Sequence, residues 1–284
     1  MGKFKLRNII ILSVIALTLG LLFIALRGPH VSNLLKKLIL PELSVATGRQ
    51  VMAQKIYINI FPLFIGAKEV RVFEEGNEML RVPRIKAYIG LSGIIKKEIV
   101  LRRLVINSPD IRSDASQIED IIRKIREYAE MERKSAVTVK VNAVVMNNGK
   151  FSLRYKDASF SGSGVSIDAV MDRLYTQQKS VFVMPKINFT IKSMISKIKG
   201  WPELKGGIKG SVAIKKDILD VRDLQIGISG SKIDAQGEYH LSSGPDKAKG
   251  GSFQMRLSLL SESFKKIFNL KQSGEGQIYA KGNL

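Results

Sequence analysis

The segment SKIDAQGEYHL, residues 231–241, alternates apolar and polar side chains almost without error. Ile233, Ala235, Gly237, Tyr239 and Leu241 share one parity, and Lys232, Asp234, Gln236, Glu238 and His240 the other. A strand has a side-chain period of two, so this segment has one dry face and one wet face. The pattern recurs. QKIYINI places Ile56, Ile58 and Ile60 on one side, and AKEVRVF does the same with Val70 and Val72. FVMPKINFTI, GIKGSVAIKK, ILDVRDLQIGI and SFQMRLSLL follow, separated by Gly, Ser, Asp and Lys. Short one-sided strands at regular spacing predict an antiparallel meander. Any fold of this chain must give those dry faces something apolar to touch.

Two helices interrupt the β pattern. Residues 31–47 carry Leu34, Leu35, Leu38 and Ile39 in a stripe flanked by Lys36 and Lys37, with Pro41 breaking the pattern and Gly48 stopping it. Such a helix caps a sheet or lies at a membrane interface. Residues 115–134 place Ile118, Ile121, Ile122, Ile125, Tyr128 and Ala129 at spacings of three and four, behind Asp114 as N-cap. Asn148-Gly149 predicts a tight hairpin turn. SGSGVS at 161–166 reads as turn chemistry, since a dinucleotide fingerprint needs a further glycine and a βαβ context. A weak repeat starts at Ser193 and again at Ser263, each copy read as a short helix, then glycines, then a strand.

Residues 9–26 form an uncharged apolar run containing Ile9, Leu12, Val14, Leu17, Leu21, Phe23 and Leu26. Its length approaches the roughly 20 residues of a bilayer-spanning helix and exceeds the core of a cleavable signal. Lys3, Lys5 and Arg7 precede it. The positive-inside rule leaves that head in the cytoplasm and exports the remainder. The expected organisation is a basic head (1–8), a membrane anchor (9–26), an N-terminal module (27–134) and strand modules (135–284). In a bacterium this is a single-pass inner-membrane protein with its bulk in the periplasm.

The chain carries 46 Lys and Arg against 25 Asp and Glu, a formal net charge of +21. Such a surface attracts polyanions, either nucleic acid or anionic membrane. The exported topology argues against nucleic acid. The absence of cysteine excludes disulfides and thiolate chemistry. With only His30 and His240, no histidine cluster for zinc exists, and no zincin, P-loop or nucleophile-elbow motif is present. The sequence therefore predicts no enzyme, no cofactor and no metal.

The order of features resembles the AsmA-like family of diderm bacteria. The resemblance rests on the anchor, the helix ending in Thr47-Gly48-Arg49, and the strand that stops at Pro62. It continues through a Val-rich strand, AYIGLSGII (87–95), and a Leu-rich strand that closes on Ser108-Pro109-Asp110. The resemblance implies a mainly β fold with a few helices: a transmembrane helix, then a curled antiparallel sheet forming an open groove. It further implies relatedness to bridge-like lipid transfer proteins, in which phospholipid tails slide along repeating β-groove modules between inner and outer membranes. A groove crossing the periplasm needs more modules than this chain supplies, so the chain would be a short member or one segment of a longer array or assembly.

On this reading the tail-contacting residues are Ile56, Ile58, Ile60, Val139, Val141, Ile187, Phe189, Ile191, Val212, Ile214, Ile233, Tyr239, Met255 and Leu257, and the partners are phospholipid and the inner membrane. Two alternatives stand beside it. In one, the dry faces seal against each other as a closed β-sandwich. In the other, the protein is a non-enzymatic envelope scaffold for outer-membrane protein assembly. Its charged helix, with Arg123, Lys124 and Arg126, would then dock partner proteins.

Overall fold

The computed structural model describes residues 28–90, 98–132, 138–176, 179–200, 202–215, 218–240, 251–259 and 276–283. The apolar run 9–26 lies outside them. Among the described residues no helix is long and apolar enough to cross a membrane.

The chain begins with α1 (Pro29–Thr47), followed by β1 (Gln50–Asn59), β2 (Phe64–Glu74), β3 (Asn77–Gly90), β4 (Glu98–Asn107) and β5 (Asp110–Asp114). Helix α2 (Ala115–Glu132) leads into β6 (Thr138–Val141) and β7 (Ala143–Tyr155). The remainder is strand: β8 (Ala158–Thr176), β9 (Lys179–Ile198), β10 (Leu204–Lys215), β11 (Ile218–Ile228), β12 (Ser231–His240), β13 (Gly251–Leu259) and β14 (Gly276–Asn283). All fourteen strands belong to one sheet, ordered β1-β2-β3-β4-β7-β8 and onward in sequence to β14. From β7 to β14 every neighbour is antiparallel, which is the predicted meander. The parallel contacts are β4–β6, β4–β7 and β5–β7, where α2 crosses over between the strands; β5 also pairs with β3. A single sheet with β1 and β14 at opposite ends is not a sandwich of two paired sheets.

Helix α1 ends where the glycine signal places it. Gly48 sits at φ 63°, and its N–H donates to the Val45 carbonyl. The helix runs through Pro41 without a break. Pro41 stands on the exposed side, where water can satisfy the carbonyl that a missing N–H leaves unpaired. Helix α2 starts at Ala115, and the Gln117 side chain accepts the Asp114 N–H at 2.9 Å, half of a capping box.

The Asn148-Gly149 hairpin is corrected. β7 continues through it to Tyr155, and the tight turn falls at Lys156-Asp157, where Tyr155 pairs with Ala158. Asn148 does adopt positive φ (52°), but as a bulge that shifts register between Met146 and Gly149. The bulge sits beside the β4–β5 break, where Ser108 also has positive φ (50°), and Ser108 N–H donates to the Asn147 carbonyl at 2.8 Å. One positive-φ residue bends a strand as readily as it turns one. SGSGVS likewise lies inside β8 rather than in a turn. The helix expected after Ser193 is the end of β9, and the second repeat start lies outside the described residues.

The tightest core is N-terminal. Val51, Val70, Val72, Met79 and Val82 are buried, with Leu40 of α1 and Ile118 and Ile121 of α2 packed against them. Arg49 joins the pieces: its guanidinium meets Glu74 on β2 at 2.6 Å and Asp120 on α2 at 2.9 Å. That assigns a structural role to the Thr47-Gly48-Arg49 stretch, in which Gly48 turns the chain and Arg49 clamps helix to sheet.

Strand β1 is the sheet's first edge, and its free N–H groups are answered by serines. Ile56 N–H donates to Ser32 Oγ and Val51 N–H to Ser44 Oγ, each at 3.1 Å. Twelve helical residues and five strand residues both span roughly 17–18 Å, so α1 lies along the edge with both serines in reach. Helix α1 thereby protects an edge that would otherwise template further pairing. Replacing Ser32 and Ser44 by Ala is expected to cost about 1 kcal/mol each, because each leaves a backbone donor unmatched. A denaturant midpoint unchanged in the double variant would show that these bonds carry no stability.

Candidate functional site

Paired residues on neighbouring strands project from the same face of a sheet. Following the pairs across this sheet uncovers rows. Ile58, Ile65, Ala87, Leu104, Val144 and Ala169 pair in succession, and the row continues through Ile187, Val212, Val221, Gly237, Phe253 and Gly282. Every one of the twelve sheet positions contributes an apolar residue or glycine. A second row runs Ile56, Ala67, Ile85, Ile106, Met146, Ile167, Phe189 and Gly210. It resumes after a bulge at Leu224, Ala235, Met255 and Ala280. Gly210 fills that join: a Cβ there would stand 3.2 Å from both Phe189 Cζ and Leu224 Cδ1. A third row begins on β8 with Val165 and passes through Ile191, Ile208, Ile226, Ile233, Leu257 and Ile278.

The opposite register positions are polar. Lys232, Asp234, Gln236 and Glu238 pair with Ser258, Arg256, Gln254 and Ser252, and these with Gln277, Tyr279, Lys281 and Asn283. The sheet therefore has one greasy side and one wet side over its C-terminal half.

What covers the greasy side differs along its length. The helices pack on β1, β5, β7 and each other. Ala67, Ile85 and Ile106 of the second row touch the helix-covered core. Beyond Ala169 no apolar side chain is buried among the described residues. Ile187, Phe189, Ile191, Ile208, Val212, Val221, Leu224, Ile226, Ile233 and Met255 are all half-buried. Their own sheet neighbours shield their flanks, and none is shielded as a core residue is.

The predicted tail-contacting residues mostly converge on this side. Ile56, Ile58, Ile187, Phe189, Ile191, Val212, Ile233, Met255 and Leu257 occupy the three rows. Ile214 and Tyr239 share a further register line through Leu219, and Val139 and Val141 pair with Ile99 and Leu101 of β4. Two positions are corrected. Ile60 falls in the turn after β1, because the strand ends at Asn59. Ile56 is only 2 % exposed, beside α1 at the sheet edge, so it belongs to the packed module rather than to an open surface. Reading strand by strand missed Val165, Ile167, Ile208 and Ile226; register shifts interrupt the alternation beside them, with positive φ at Gly164 before Val165 and at Asp223 before Ile226.

Two shallow depressions stand out. One of about 570 Å³ opens between β11 and β13, where Asp223, Gln225, Lys232, Asp234, Gln236, Gln254 and Arg256 line it together with Leu224, Ala235 and Met255 of the second row. It lies beside the bulge at Asp223, which has positive φ (51°), and Lys232 pairs with Asp234 there at 3.0 Å. The other, about 390 Å³, lies at the ends of the β7–β8 and β9–β10 hairpins, where Arg154, Lys156, Lys197 and Lys199 surround Asp157. This strand-end rim is strongly basic. On α2, by contrast, Arg123 and Lys124 are both tied to Asp120, whose carboxyl is held below its usual range chiefly by the Arg123 hydrogen bond.

At the same rim Glu203 bridges Lys197 (3.0 Å) and Lys205 (3.3 Å), and these hydrogen bonds hold its carboxyl below the usual glutamate range. A depressed carboxylate contributes stability in full above its unfolded value, and that contribution is lost as pH falls through the folded value. Wild type should therefore melt above Glu203→Gln at neutral pH, with the gap closing only in acid. Equal melting temperatures at neutral pH would remove the bridge as a stabilising contact.

No family model matches the sequence, and no curated protein matches it.

Proposed function

We propose that this chain is a lipid-binding and lipid-conducting module of a bacterial envelope, anchored in the inner membrane by residues 9–26 and similar in kind to the AsmA-like proteins. The observation that carries the reading is the pair of apolar rows from β1 to β14, one continuous and one resumed across the β11 bulge, uncovered beyond the helices. Eleven strand spacings of about 4.8 Å make such a stripe roughly 50 Å long. One leaflet of bilayer hydrocarbon is about 15 Å deep. The stripe is thus long enough for acyl chains to be passed along it.

The energetics favour hydrocarbon as the occupant. Each CH₂ removed from water contributes about 0.8 kcal/mol, and Ile, Val, Leu and Phe offer no competing polar demand. The basic strand-end rim of Arg154, Lys156, Lys197 and Lys199 supplies charge-assisted donors for phosphate head groups while tails lie on the rows. The binding needs no reaction, so the protein acts by holding and passing lipid, moving phospholipid between inner and outer membranes.

Asp substitution at Ile191, Ile226 and Ile233 places charge in the third row at half-buried sites. The triple variant is expected to keep its strand circular dichroism and to lose most of its co-purifying phospholipid, read by mass spectrometry against wild type. Unchanged lipid content would end this reading. Loss of all β signal together with lipid would instead identify the rows as a sealed core.

A further inference from the structure

Helix α1 has an apolar side that the fold does not use. At 100° per residue, Leu34, Leu38, Pro41 and Val45 fall within an arc of about 60°. Leu34, Leu38 and Val45 are 58 %, 60 % and 67 % exposed. Ser32 and Ser44, which hold the β1 edge, lie about 150° and about 90° from the centre of that arc. The helix is therefore sandwiched. Its serines bond the first strand, Leu40 packs against the core, and Leu34, Leu38 and Val45 form the most exposed aliphatic stripe, with Leu43 exposed as well at 42 %.

We infer that this outward stripe rests on the surface of a phospholipid bilayer and makes α1 the foot on which the β1 end of the sheet stands. Two observations favour a membrane over a protein as the occupant. The 18-residue apolar run ends at Leu26, three residues before α1 begins, so an anchored chain delivers this helix to the interface and nowhere else. Arg27, Lys36 and Lys37 lie in or beside the same helix, and exposed Lys37 flanks the stripe, as suits anionic head groups. Leucine and valine then sit among acyl chains while the serine side stays hydrogen-bonded to β1. The consequence is directional: the apolar rows begin at the bilayer surface and lead away from it, with α1 between the lipid and the first strand.

The inference rests on the anchor reading, and the test separates the two. The chain has no cysteine, so Leu34→Cys, Leu38→Cys, Val45→Cys and, as control, Tyr155→Cys each give a single labelling site. The full-length variants carry an environment-sensitive fluorophore and are reconstituted in phosphatidylethanolamine–phosphatidylglycerol vesicles. Labels at 34, 38 and 45 are expected to shift to the blue and lose most of their emission to lipid-borne nitroxide. The label at 155 should respond only to aqueous iodide. Iodide quenching of all four would overturn the inference. Protection of the stripe from both quenchers would overturn it equally, assigning the stripe to a second copy or to residues 9–26 folded back. Failure of the anchor registers independently, as extraction of the unlabelled chain from membranes by alkaline carbonate. The vesicle assay on the extracted chain still reads whether α1 meets lipid.

Discussion

Strand register is the constraint from which the rest follows. Side chains alternate faces with period two, so a slip of one residue between any two neighbours would move that strand's aliphatic side chains to the wet face. The rows survive eleven successive pairings because bulges absorb the mismatches. Register shifts occur at Tyr88/Ile89 in β3, Met146/Gly149 in β7, Gly206/Ile208 in β10 and Val221/Leu224 in β11. At the last of these, Leu219 and Val221 precede the bulge with odd numbers, and Leu224 and Ile226 follow it with even ones. The parity changes and the face does not.

A sheet of this length has two edges to manage, and among the described residues there is no second sheet for it to lean on. At the first edge the solution is local: two serines twelve residues apart on α1 answer two strand amides, and Arg49 ties the end of the helix to β2 and α2. The helices therefore belong to the start of the sheet and leave its middle bare. That division of labour explains why deep burial concentrates up to Val100, with Pro109, Val145 and Ala169 the buried apolar residues further on among those described. The N-terminal module behaves as a conventional core, whereas the meander carries its apolar residues without enclosing them.

Much of this was legible in the sequence. The meander, the two helices, the Gly48 stop and nine of the row residues follow from alternation and helix-termination signals. The failures share a cause. Asn148-Gly149 and the glycines of SGSGVS read as turns because positive φ is the usual signature of a reversal, but in a long bent strand the same backbone state makes a bulge. Ile60 was placed on a face because alternation does not mark where a strand stops. The rows themselves were not legible at all, since alternation identifies a face on each strand while register alone says which faces align. The serine clamps also left no signal: Ser32 and Ser44 in a helix look like neutral surface choices until the strand they serve is in place.

The distinction between an open trough and an unfilled core turns on how the two sides of the sheet differ. A sheet that buried both faces would read as near-continuous aliphatic runs. Here the wet side is dense in Lys, Asp, Glu, Gln and Ser, with Lys232 paired to Asp234 at 3.0 Å. No driving force brings that side against hydrocarbon or protein core. The greasy side has the opposite balance, and its half-buried state is costly in water, at about 25 cal/mol per Å² of apolar surface left exposed. On the proposed reading an apolar occupant relieves that cost. An occupant that slides must be uniform along the path, and alkyl chains meet that condition because every stretch of them presents the same surface to every rung of the rows.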